Sequence, residues 1–219
     1  MLAALLDRFL YRTPFEGGSA RRYATRERPA FGDLDARILD GMQLERRAVT
    51  RLLDLGCGPA TFATHAATRF PEITVVGVEP SRDFIRLVAT TASARPKLSV
   101  LQAVGEALPL AAASIDAAIC LSSIRHVRDR AATFRELRRV VRPGGIVTIV
   151  ELDPKAERRR VAAHADHIEV RLLRYAFAPL VLRTAPTAEA IAAIARGVGF
   201  TQLSLRPDPI QPVYIMELV

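Results

Sequence analysis

Short apolar runs alternate with segments of helical periodicity along most of the chain. The runs with the length and flanking turn residues of buried strands lie at residues 52–55, 73–78, 114–120, 146–150, 202–205 and 213–218. Apolar residues at helical spacing precede Pro143-Gly144-Gly145, which ends a helix and returns the chain to a strand. Alternation of strands and helices predicts the α/β class with a parallel sheet.

A glycine turn follows the first of these strands. Asp54 lies near the end of the apolar run, and Gly56 and Gly58 come before a helix at residues 61–69. Glycines leave no side-chain bulk, so a flat or charged ligand can lie against the peptide groups and the helix N-terminus. A tight strand-to-helix turn without a ligand has the same two glycines, but the next strand favours the ligand site.

Glu79 stands at the end of the second predicted strand, roughly 20 residues after the glycine turn. Nucleotide-binding α/β folds place a carboxylate there on ribose hydroxyls, because its two oxygens match a vicinal diol. The alternative is a solvated acid at a strand end. Together with the glycine turn, Glu79 predicts a nucleoside site.

The glycine pattern argues against a dinucleotide. NAD and FAD sites have a third glycine where this chain has Thr61. An acid-x-Gly-x-Gly pattern at a strand end, here Asp54 to Gly58, resembles the first motif of the class I S-adenosylmethionine-dependent methyltransferases. Ala60 is a departure, because many members have a third glycine there. We expect it to tighten the loop without abolishing the site.

Other segments extend this resemblance. The stretch 105–110 is similar to the family's loop along adenine, with Val104 where an Asp often stands. The stretch 114–120 is similar to the fourth strand, with Asp116 at its start. Residues 121–129 most resemble the corresponding stretch of the ubiquinone/menaquinone-biosynthesis C-methyltransferases.

The resemblance covers residues 51 to about 153 and implies a fold. That fold is α/β, a Rossmann-like seven-stranded and mostly parallel sheet with helices on both faces. It carries N-terminal helices and a helical insertion after the fifth strand. We therefore expect an N-terminal helical cover for the cofactor at residues 1–47 and a methyltransferase domain at residues 48–219. Within that domain, residues 154–186 would form the insertion that caps the substrate.

The cofactor that the resemblance implies is S-adenosyl-L-methionine, with S-adenosyl-L-homocysteine as the product. Asp54, Gly56 and Gly58 would hold its methionine end, and Glu79 its ribose. Gly105 and Glu106 would lie near adenine. The full set of cofactor-binding residues on the matching motifs is Asp54, Gly56, Cys57, Gly58, Glu79, Pro80, Gly105, Glu106, Cys120, Leu121 and Ser122.

His126 is the candidate catalytic base, because it follows the fourth strand and a histidine titrates near neutral pH. The alternative is a histidine that only shapes the loop. Arg125, His126 and Tyr11 are the candidate acceptor-binding residues. We expect His65 to pack and His164 to lie on a solvated helix face. No metal-ligand spacing is present, so no metal is expected.

The outer segments are read from periodicity and helix ends. Residues 1–13 predict an amphipathic helix whose apolar face is formed by Leu2, Leu5, Leu6 and Phe9. We expect this helix to cover the cofactor, as N-terminal helices of the family do, and a peripheral membrane anchor is kept as the alternative. A Gly- and Arg-rich loop is expected at residues 16–28 and a helix at residues 33–42. A last helix at residues 187–198 has Thr187 as its N-cap and Gly199 after its end.

The formal net charge of +8 raises the question of a nucleic-acid partner. Aromatic residues make up only 6% of the chain, and no basic patch interleaved with aromatics is present. Residues 120–123 also differ from the Asn/Asp-Pro-Pro-aromatic motif of enzymes that methylate base amines. Nucleic acid is therefore disfavoured, and we expect a small-molecule acceptor, quinone-like or a secondary metabolite, methylated on oxygen or carbon. An RNA methyltransferase and a non-methylating or partner member of the same fold remain the alternatives.

Both cysteines, Cys57 and Cys120, fall at strand ends on the ligand side. A disulfide there would lie under the cofactor, so we expect reduced thiols and a cytoplasmic protein. No apolar stretch approaches the roughly 18 residues of a membrane span, so no transmembrane segment is expected. A homodimer is left open.

Overall fold

A computed structural model describes residues 17–93, 95–166, 182 and 185–219. The predicted helix at residues 1–13, Tyr11 and the apolar part of the insertion lie outside these ranges. The helices are α1 (Gly18–Arg22), α2 (Leu34–Met42), α3 (Thr61–Arg69), α4 (Arg82–Ser93), α5 (Arg130–Val140), α6 (Arg158–Asp166) and α7 (Ala188–Gly197). The strands are β1 (Arg51–Leu55), β2 (Thr74–Glu79), β3 (Leu98–Gln102), β4 (Ile115–Leu121), β5 (Val141–Leu152), β6 (Gln202–Pro207) and β7 (Val213–Leu218).

The strands form one sheet in the order β3-β2-β1-β4-β5-β7-β6. Neighbours from β3 to β5 pair in parallel, and β7 runs antiparallel to both β5 and β6. The predicted seven-stranded, mostly parallel sheet is confirmed. From β1 the chain adds strands outward on one side, as β2 and β3, and then returns to add β4 and β5 on the other side. Ligands of such sheets bind at the carboxyl ends of the strands beside this switch point between β1 and β4.

Helices cover both faces of the sheet, as predicted. On one face Leu39 of α2 and Phe62 of α3 pack with Leu52 of β1. On the other face Phe134 of α5 and Ile191 of α7 belong to the second apolar cluster. No helix in the described part of the chain is long and apolar enough to span a bilayer.

The start of β5 differs from the sequence-based prediction. The strand begins at Val141, before Pro143-Gly144-Gly145, and the β4–β5 register shifts between Ile115 and Ala117. A Cβ on Gly145 would lie 2.6 Å from the carbonyl oxygen of Asp116. The glycine therefore permits a close backbone approach inside the strand, instead of a turn before it.

Within the segment predicted as a loop at residues 16–28, residues 18–28 are helical. They comprise α1, a π-helical turn over Tyr23–Glu27 and the start of a 3₁₀ turn over Arg28–Phe31. The last helix agrees with its predicted ends, because Thr187 Oγ1 accepts a hydrogen bond from the amide of Ala190 at 3.2 Å.

The β6–β7 loop is tied to the N-terminal helices. Both carboxylate oxygens of Asp208 accept hydrogen bonds from Arg37 of α2, at 3.0 and 2.9 Å. Gln211 donates to the carbonyl of Phe31 at 3.2 Å and contacts His164 Nδ1 at 2.7 Å. His164 is therefore buried, and the prediction of a solvated histidine was wrong, because this contact depends on residues remote in sequence.

Asp116 joins the starts of three neighbouring strands. Its Oδ2 accepts hydrogen bonds from the amide and hydroxyl of Thr50, both at 2.8 Å, and from the amide of Arg51 at 2.9 Å. Its Oδ1 accepts from Arg142 Nε at 2.7 Å. Although partial burial opposes ionisation, hydrogen bonds from Thr50, Arg142 and Arg51 hold the pKa of Asp116 well below its usual range.

We expect Asp116→Asn to lower the free energy of unfolding at pH 7 by about 1–2 kcal/mol, because an amide cannot accept all four bonds. Since the folded-state pKa is depressed, the contribution of Asp116 is present above about pH 4 and is lost as pH falls below it. Urea unfolding of both proteins between pH 3 and pH 7 measures this. Asp33→Asn is the control, because the Asp33 side chain makes no capping hydrogen bond. If the difference in unfolding free energy between the parent and Asp116→Asn were the same from pH 3 to pH 7, the stabilising role of the ionised Asp116 would be contradicted.

Candidate cofactor site

A cavity of about 680 Å³ opens at the carboxyl ends of β1, β2 and β4. Its walls include every predicted cofactor-binding residue except Cys120, and also His126. Further lining residues that the sequence did not indicate include Tyr23, Arg28, Phe62, Phe84, Val127 and Arg128. The cavity therefore brings the glycine turn, Glu79 and the segment after β4 together.

The glycine turn packs tightly against the segment after β4. The amide of Gly56 donates to the carbonyl of Val78 at 2.7 Å, and Gly56 has φ of 70°. A Cβ on Gly56 would lie 2.5 Å from the Cβ of Ser123. Only glycine fits this position, so the turn leaves backbone and no side chain at the cavity wall.

Ala60 is buried and has left-handed backbone angles, φ 55° and ψ 30°, at the N-cap of α3. Glycine adopts this conformation without strain, which gives a physical reason for the glycine of many family members. The turn forms with alanine as well, and its amide donates to the carbonyl of Cys57 at 2.9 Å.

Asp54 is buried at the base of the cavity, and its Oδ2 has no hydrogen-bond partner in the described part of the chain. Burial raises the pKa of Asp54 to about 7, and neighbouring Asp35 and Glu79 raise it as well, while Arg28 and the amide of Ala63 lower it. A buried carboxylate oxygen without a partner is stabilised by a cationic ligand.

Glu79 is oriented by the backbone on both sides. Its Oε2 accepts from the amide of Gly58 at 2.9 Å, and its Oε1 accepts from the amide of Ser81 at 2.8 Å. Burial raises the pKa of Glu79 to about 6, although these two amides lower it. Each oxygen has a second lone pair, so the fixed carboxylate can accept two hydroxyl groups.

Glu106, predicted near adenine, has a structural contact as well. Its Oε1 accepts hydrogen bonds from the amides of Arg128 and Asp129, both at 3.0 Å. Asp129 in turn caps α5 through Ala132. Glu106 and Gly105 line the cavity, and the carboxylate of Glu106 fixes the loop that leads into α5.

The remaining predicted residues lie at the end of β4 and just after it, and only some of them line the cavity. Leu121, Ser122 and His126 line the cavity. Cys120 is fully buried on the opposite face of the sheet, with Sγ 2.9 Å from Ser123 Oγ, and lies outside the cavity lining. Its inward position follows from strand alternation, because it precedes the cavity-facing Leu121 by one residue.

Arg125 also lies outside the cavity lining. Its amide donates to Glu151 Oε2 at 3.2 Å, and burial lowers the pKa of its guanidinium although nearby Glu151 raises it. Glu151 is fully buried, and burial raises the pKa of its carboxyl. Arg125 therefore faces this buried acid at the end of β5.

Tyr23, Arg28 and Phe84 close the cavity from the N-terminal side. Tyr23 and Phe84 meet edge to face with ring centroids 5.9 Å apart. Arg28 Nη2 donates to Asp35 Oδ1, and the guanidinium carbon lies 5.5 Å from the centroid of the Phe31 ring. The π-helical and 3₁₀ turns that carry Tyr23 and Arg28 have no regular apolar period, so periodicity could not place these two side chains.

These features fit S-adenosylmethionine. The cavity wall presents a buried carboxylate with one oxygen that has no partner among the described residues, a second carboxylate for a diol, and exposed peptide groups at a glycine turn. Both cysteines are free and buried. Within the described ranges, no three His, Cys, Asp or Glu side chains are grouped as metal ligands.

Residues 53–149 match the family described as "Methyltransferase domain". This match, the sheet order and the cavity make the chain similar to the class I S-adenosylmethionine-dependent methyltransferases, the family that the sequence motifs resemble.

Among curated proteins, the chain is similar to a ubiquinone/menaquinone biosynthesis C-methyltransferase of Syntrophotalea carbinolica, with 38% identity over 46% of this chain and 43% of that protein. It is also similar to a demethylmenaquinone methyltransferase of Roseiflexus, with 29% identity over 84% of this chain and 86% of that protein. The match to the first spans less than half of that relative.

Two solved structures share the fold. A methyltransferase from Aquifex aeolicus has a TM-score of 0.74 and 11% identity, over 93% of this chain and 98% of that one. The [4+2]-cyclase SpnF has a TM-score of 0.59 and 25% identity, over 78% of this chain and 58% of that one.

Proposed function

We propose that this chain transfers the methyl group of S-adenosylmethionine to a small quinone-like or secondary-metabolite acceptor, on oxygen or carbon. The observation that carries the proposal is the pair of buried carboxylates, Asp54 and Glu79, on either side of the glycine turn at one cavity. The names of the relatives from Syntrophotalea and Roseiflexus, both quinone-pathway methyltransferases, support the acceptor class.

When bound, S-adenosylmethionine supplies a methyl group already activated on a cationic sulfonium. The chain's own task is to bind, align and exclude water, because positioning alone contributes about 7–11 kcal/mol in well-aligned reactions. Asp54 binds the α-ammonium group, and the glycine turn leaves room for the methionine chain. Glu79 holds the ribose hydroxyls, and the loop at Gly105 and Glu106 borders adenine.

On the acceptor side, His126 lies on the 3₁₀ turn Ile124–His126 and lines the cavity. In the proposal its imidazole takes the proton from an acceptor hydroxyl or activated carbon as the methyl group arrives. Arg125 belongs to the same turn but lies outside the cavity lining, where it faces Glu151. Tyr11 lies outside the described residues. The proposal includes a cytoplasmic location, supported by two unpaired thiols.

Calorimetry with S-adenosylhomocysteine tests the cofactor part directly. We expect saturable binding of one molecule with a Kd of about 1–100 μM, or roughly −5 to −8 kcal/mol. S-adenosylhomocysteine is the reaction product, so no acceptor is needed for this measurement. Absence of saturable heat at millimolar ligand would reject the proposal.

The likeness to SpnF, named as a [4+2]-cyclase, supports a second candidate, a non-methylating member of the fold. Transfer of isotope-labelled methyl from S-adenosylmethionine to a panel of hydroquinones and phenols separates the two. Labelled product supports the methyltransferase. Conversion of an acceptor without consumption of the methyl donor would support the second candidate instead.

A further inference from the structure

The turn that carries His126 is held by side chains from two neighbouring elements. Residues Ile124–His126 form a single 3₁₀ turn between β4 and α5, and the amide of His126 donates to the carbonyl of Ser123 at 2.9 Å. A turn of three residues has too few internal hydrogen bonds to fix its own position. Its place in the cavity wall therefore depends on the groups that contact it from outside.

Glu151, near the end of β5, binds the middle of this turn. Its Oε2 accepts a hydrogen bond from the amide of Arg125 at 3.2 Å, and its Oε1 accepts one from the amide of Leu152 at 2.8 Å. Both oxygens thus bind main-chain N–H groups, one on the turn and one on the strand. The carboxylate links the turn directly to the sheet.

Arg130, the first residue of α5, binds the carbonyl groups of the same turn. Its Nε donates to the carbonyl of Ile124 at 3.1 Å, and its Nη2 donates to the carbonyl of Arg125 at 3.4 Å. The Ile124 side chain is fully buried in the second apolar cluster, which fixes the depth of the turn. The carboxylate of Glu151 and the guanidinium of Arg130 then restrain its rotation about that anchor.

Stability alone does not explain an acid at the position of Glu151. The residue is fully buried, and burial raises the pKa of its carboxyl although Arg125 and the bound amides lower it. Burying a charge costs free energy, and apolar side chains of similar volume are often at least as stabilising as a buried charged group. An apolar residue, however, could not accept the hydrogen bond from the amide of Arg125.

We propose that Glu151 is a positioning residue that sets the place and orientation of His126 in the cavity wall. The residue whose amide it binds, Arg125, directly precedes His126, so a displacement there reaches the imidazole within one residue. Glu151 itself is not a lining residue of the cavity. The inference rests on the proposed function, in which His126 takes the proton from the acceptor, and adds the residue that aligns this base. Misplacing a reacting group by about 1 Å can lower a rate about 100-fold.

Glu151→Gln keeps the size of the side chain and removes one of the two acceptors. An amide has one oxygen and one NH₂ group, so it cannot accept hydrogen bonds from both Leu152 and Arg125. Because Glu151 lies outside the cavity lining, calorimetry is expected to show S-adenosylhomocysteine binding within about 3-fold of the parent. Retained binding also shows that the variant is folded.

The position of His126 is measured from the imidazole signals of histidine-labelled protein in NMR spectra, assigned by their loss in His126→Gln. In the parent we expect the His126 signal to move when S-adenosylhomocysteine is added, because His126 lines the cavity. In Glu151→Gln this movement is expected to fall by about half or more, because a loosened turn averages over several positions. The buried His164, in contact with Gln211, is the internal reference and should not move.

Methyl transfer from S-adenosylmethionine to the panel of hydroquinones and phenols is a second measurement. In Glu151→Gln, kcat is expected to fall about 10- to 100-fold, while KM for S-adenosylmethionine stays within about 3-fold of the parent. Arg130→Gln loosens the same turn from α5 and leaves Glu151 in place. It is expected to change the His126 signal and kcat in the same direction.

Hydrogen exchange in the parent tests the contact without any variant. The amide of Arg125 is expected to exchange at least about 100-fold more slowly than an unprotected amide, because it is bonded to a fully buried carboxylate. Exchange at the unprotected rate would overturn the inference even if Glu151→Gln did not fold.

Asp116→Asn is the matched control. The carboxylate of Asp116 also accepts hydrogen bonds from main-chain amides, those of Thr50 and Arg51, but at the opposite end of β4. This variant is expected to lose stability and to keep the parent's His126 signal and kcat. An unchanged His126 signal in Glu151→Gln, or a loss of S-adenosylhomocysteine affinity as large as the loss of kcat, would overturn the inference while the proposed function stands. Failure of the parent to bind S-adenosylhomocysteine would overturn both.

Discussion

Asp54→Asn is expected to weaken S-adenosylhomocysteine binding by about 100-fold at pH 8. The substitution keeps the size of the side chain and removes the charge that, in the proposed function, faces the ligand's ammonium group. A charge-assisted hydrogen bond of this kind contributes about 1.5–3 kcal/mol, and each 1.4 kcal/mol is a factor of ten in affinity. Calorimetry on the parent and the variant measures the difference.

The same variant is expected to make the ligand-free protein more stable at pH 8. The pKa of Asp54 is raised to about 7 in the folded state, against 3.8 for an ordinary aspartate. Between these values the folded protein binds a proton that the unfolded chain has lost, so stability falls as pH rises from about 4 to about 7. A shift of that size corresponds to about 4 kcal/mol, an upper limit for the gain in Asp54→Asn.

Thermal unfolding from pH 5 to pH 8 checks this expectation. The parent should lose stability over this range, and the variant should lose less, with Glu79 adding a smaller dependence of the same sign because its pKa is raised to about 6. Asp40→Asn, which alters an exposed carboxylate paired with Arg69, should change neither ligand affinity nor the pH profile. If Asp54→Asn is destabilised and binds normally, Asp54 is a structural residue.

Gly56→Ala is expected to lower the free energy of unfolding by about 3 kcal/mol or more and to abolish cofactor binding. Left-handed backbone angles cost about 1–2 kcal/mol with a Cβ present. The new methyl group would also lie 2.5 Å from the Cβ of Ser123, and overpacking adds about 1–3 kcal/mol. Urea unfolding and calorimetry measure the two effects.

Gly58→Ala separates strain from overpacking. Gly58 also has positive φ, 53°, but a Cβ there would meet only Phe84 at 3.9 Å. The free energy of unfolding of Gly58→Ala should therefore fall by about 1–2 kcal/mol, the cost of the backbone angles alone. Adding Ser123→Gly to Gly56→Ala removes the Cβ of Ser123 that the new methyl group would contact. The double variant should therefore regain the part of the unfolding free energy that overpacking costs. Equal losses in the two alanine variants would contradict the close packing of the turn on Ser123.

The sequence predicted the strand ends that carry Asp54 and Glu79, because short apolar runs followed by glycine or proline are local signals. Thr187 as an N-cap is local in the same sense, since its hydroxyl binds an amide three residues further on. The parallel pairing then brings the ends of β1 and β2 to the same edge. Most of the cavity lining at the carboxyl ends of β1 and β2 could therefore be anticipated.

The residues that were missed depend on contacts distant in sequence. Arg28 reaches the cavity from irregular helical turns, and its place is fixed by Asp35 and Phe31. His164 is buried because Gln211, 47 positions away, meets its ring. Neither a period nor a motif encodes these contacts.

The contacts of Asp208 and Gln211 with Arg37 and Phe31 make the two ends of the described chain mechanically interdependent. The wall that carries Arg28 is braced by the terminal β-hairpin, although that hairpin lies far from the cofactor cavity in the sheet order. In chimeras built from related enzymes, the amino-terminal wall and the carboxyl-terminal hairpin consequently form a single exchangeable unit. Swapping one without the other would break the contacts of Asp208 with Arg37 and of Gln211 with Phe31 while leaving the glycine turn intact.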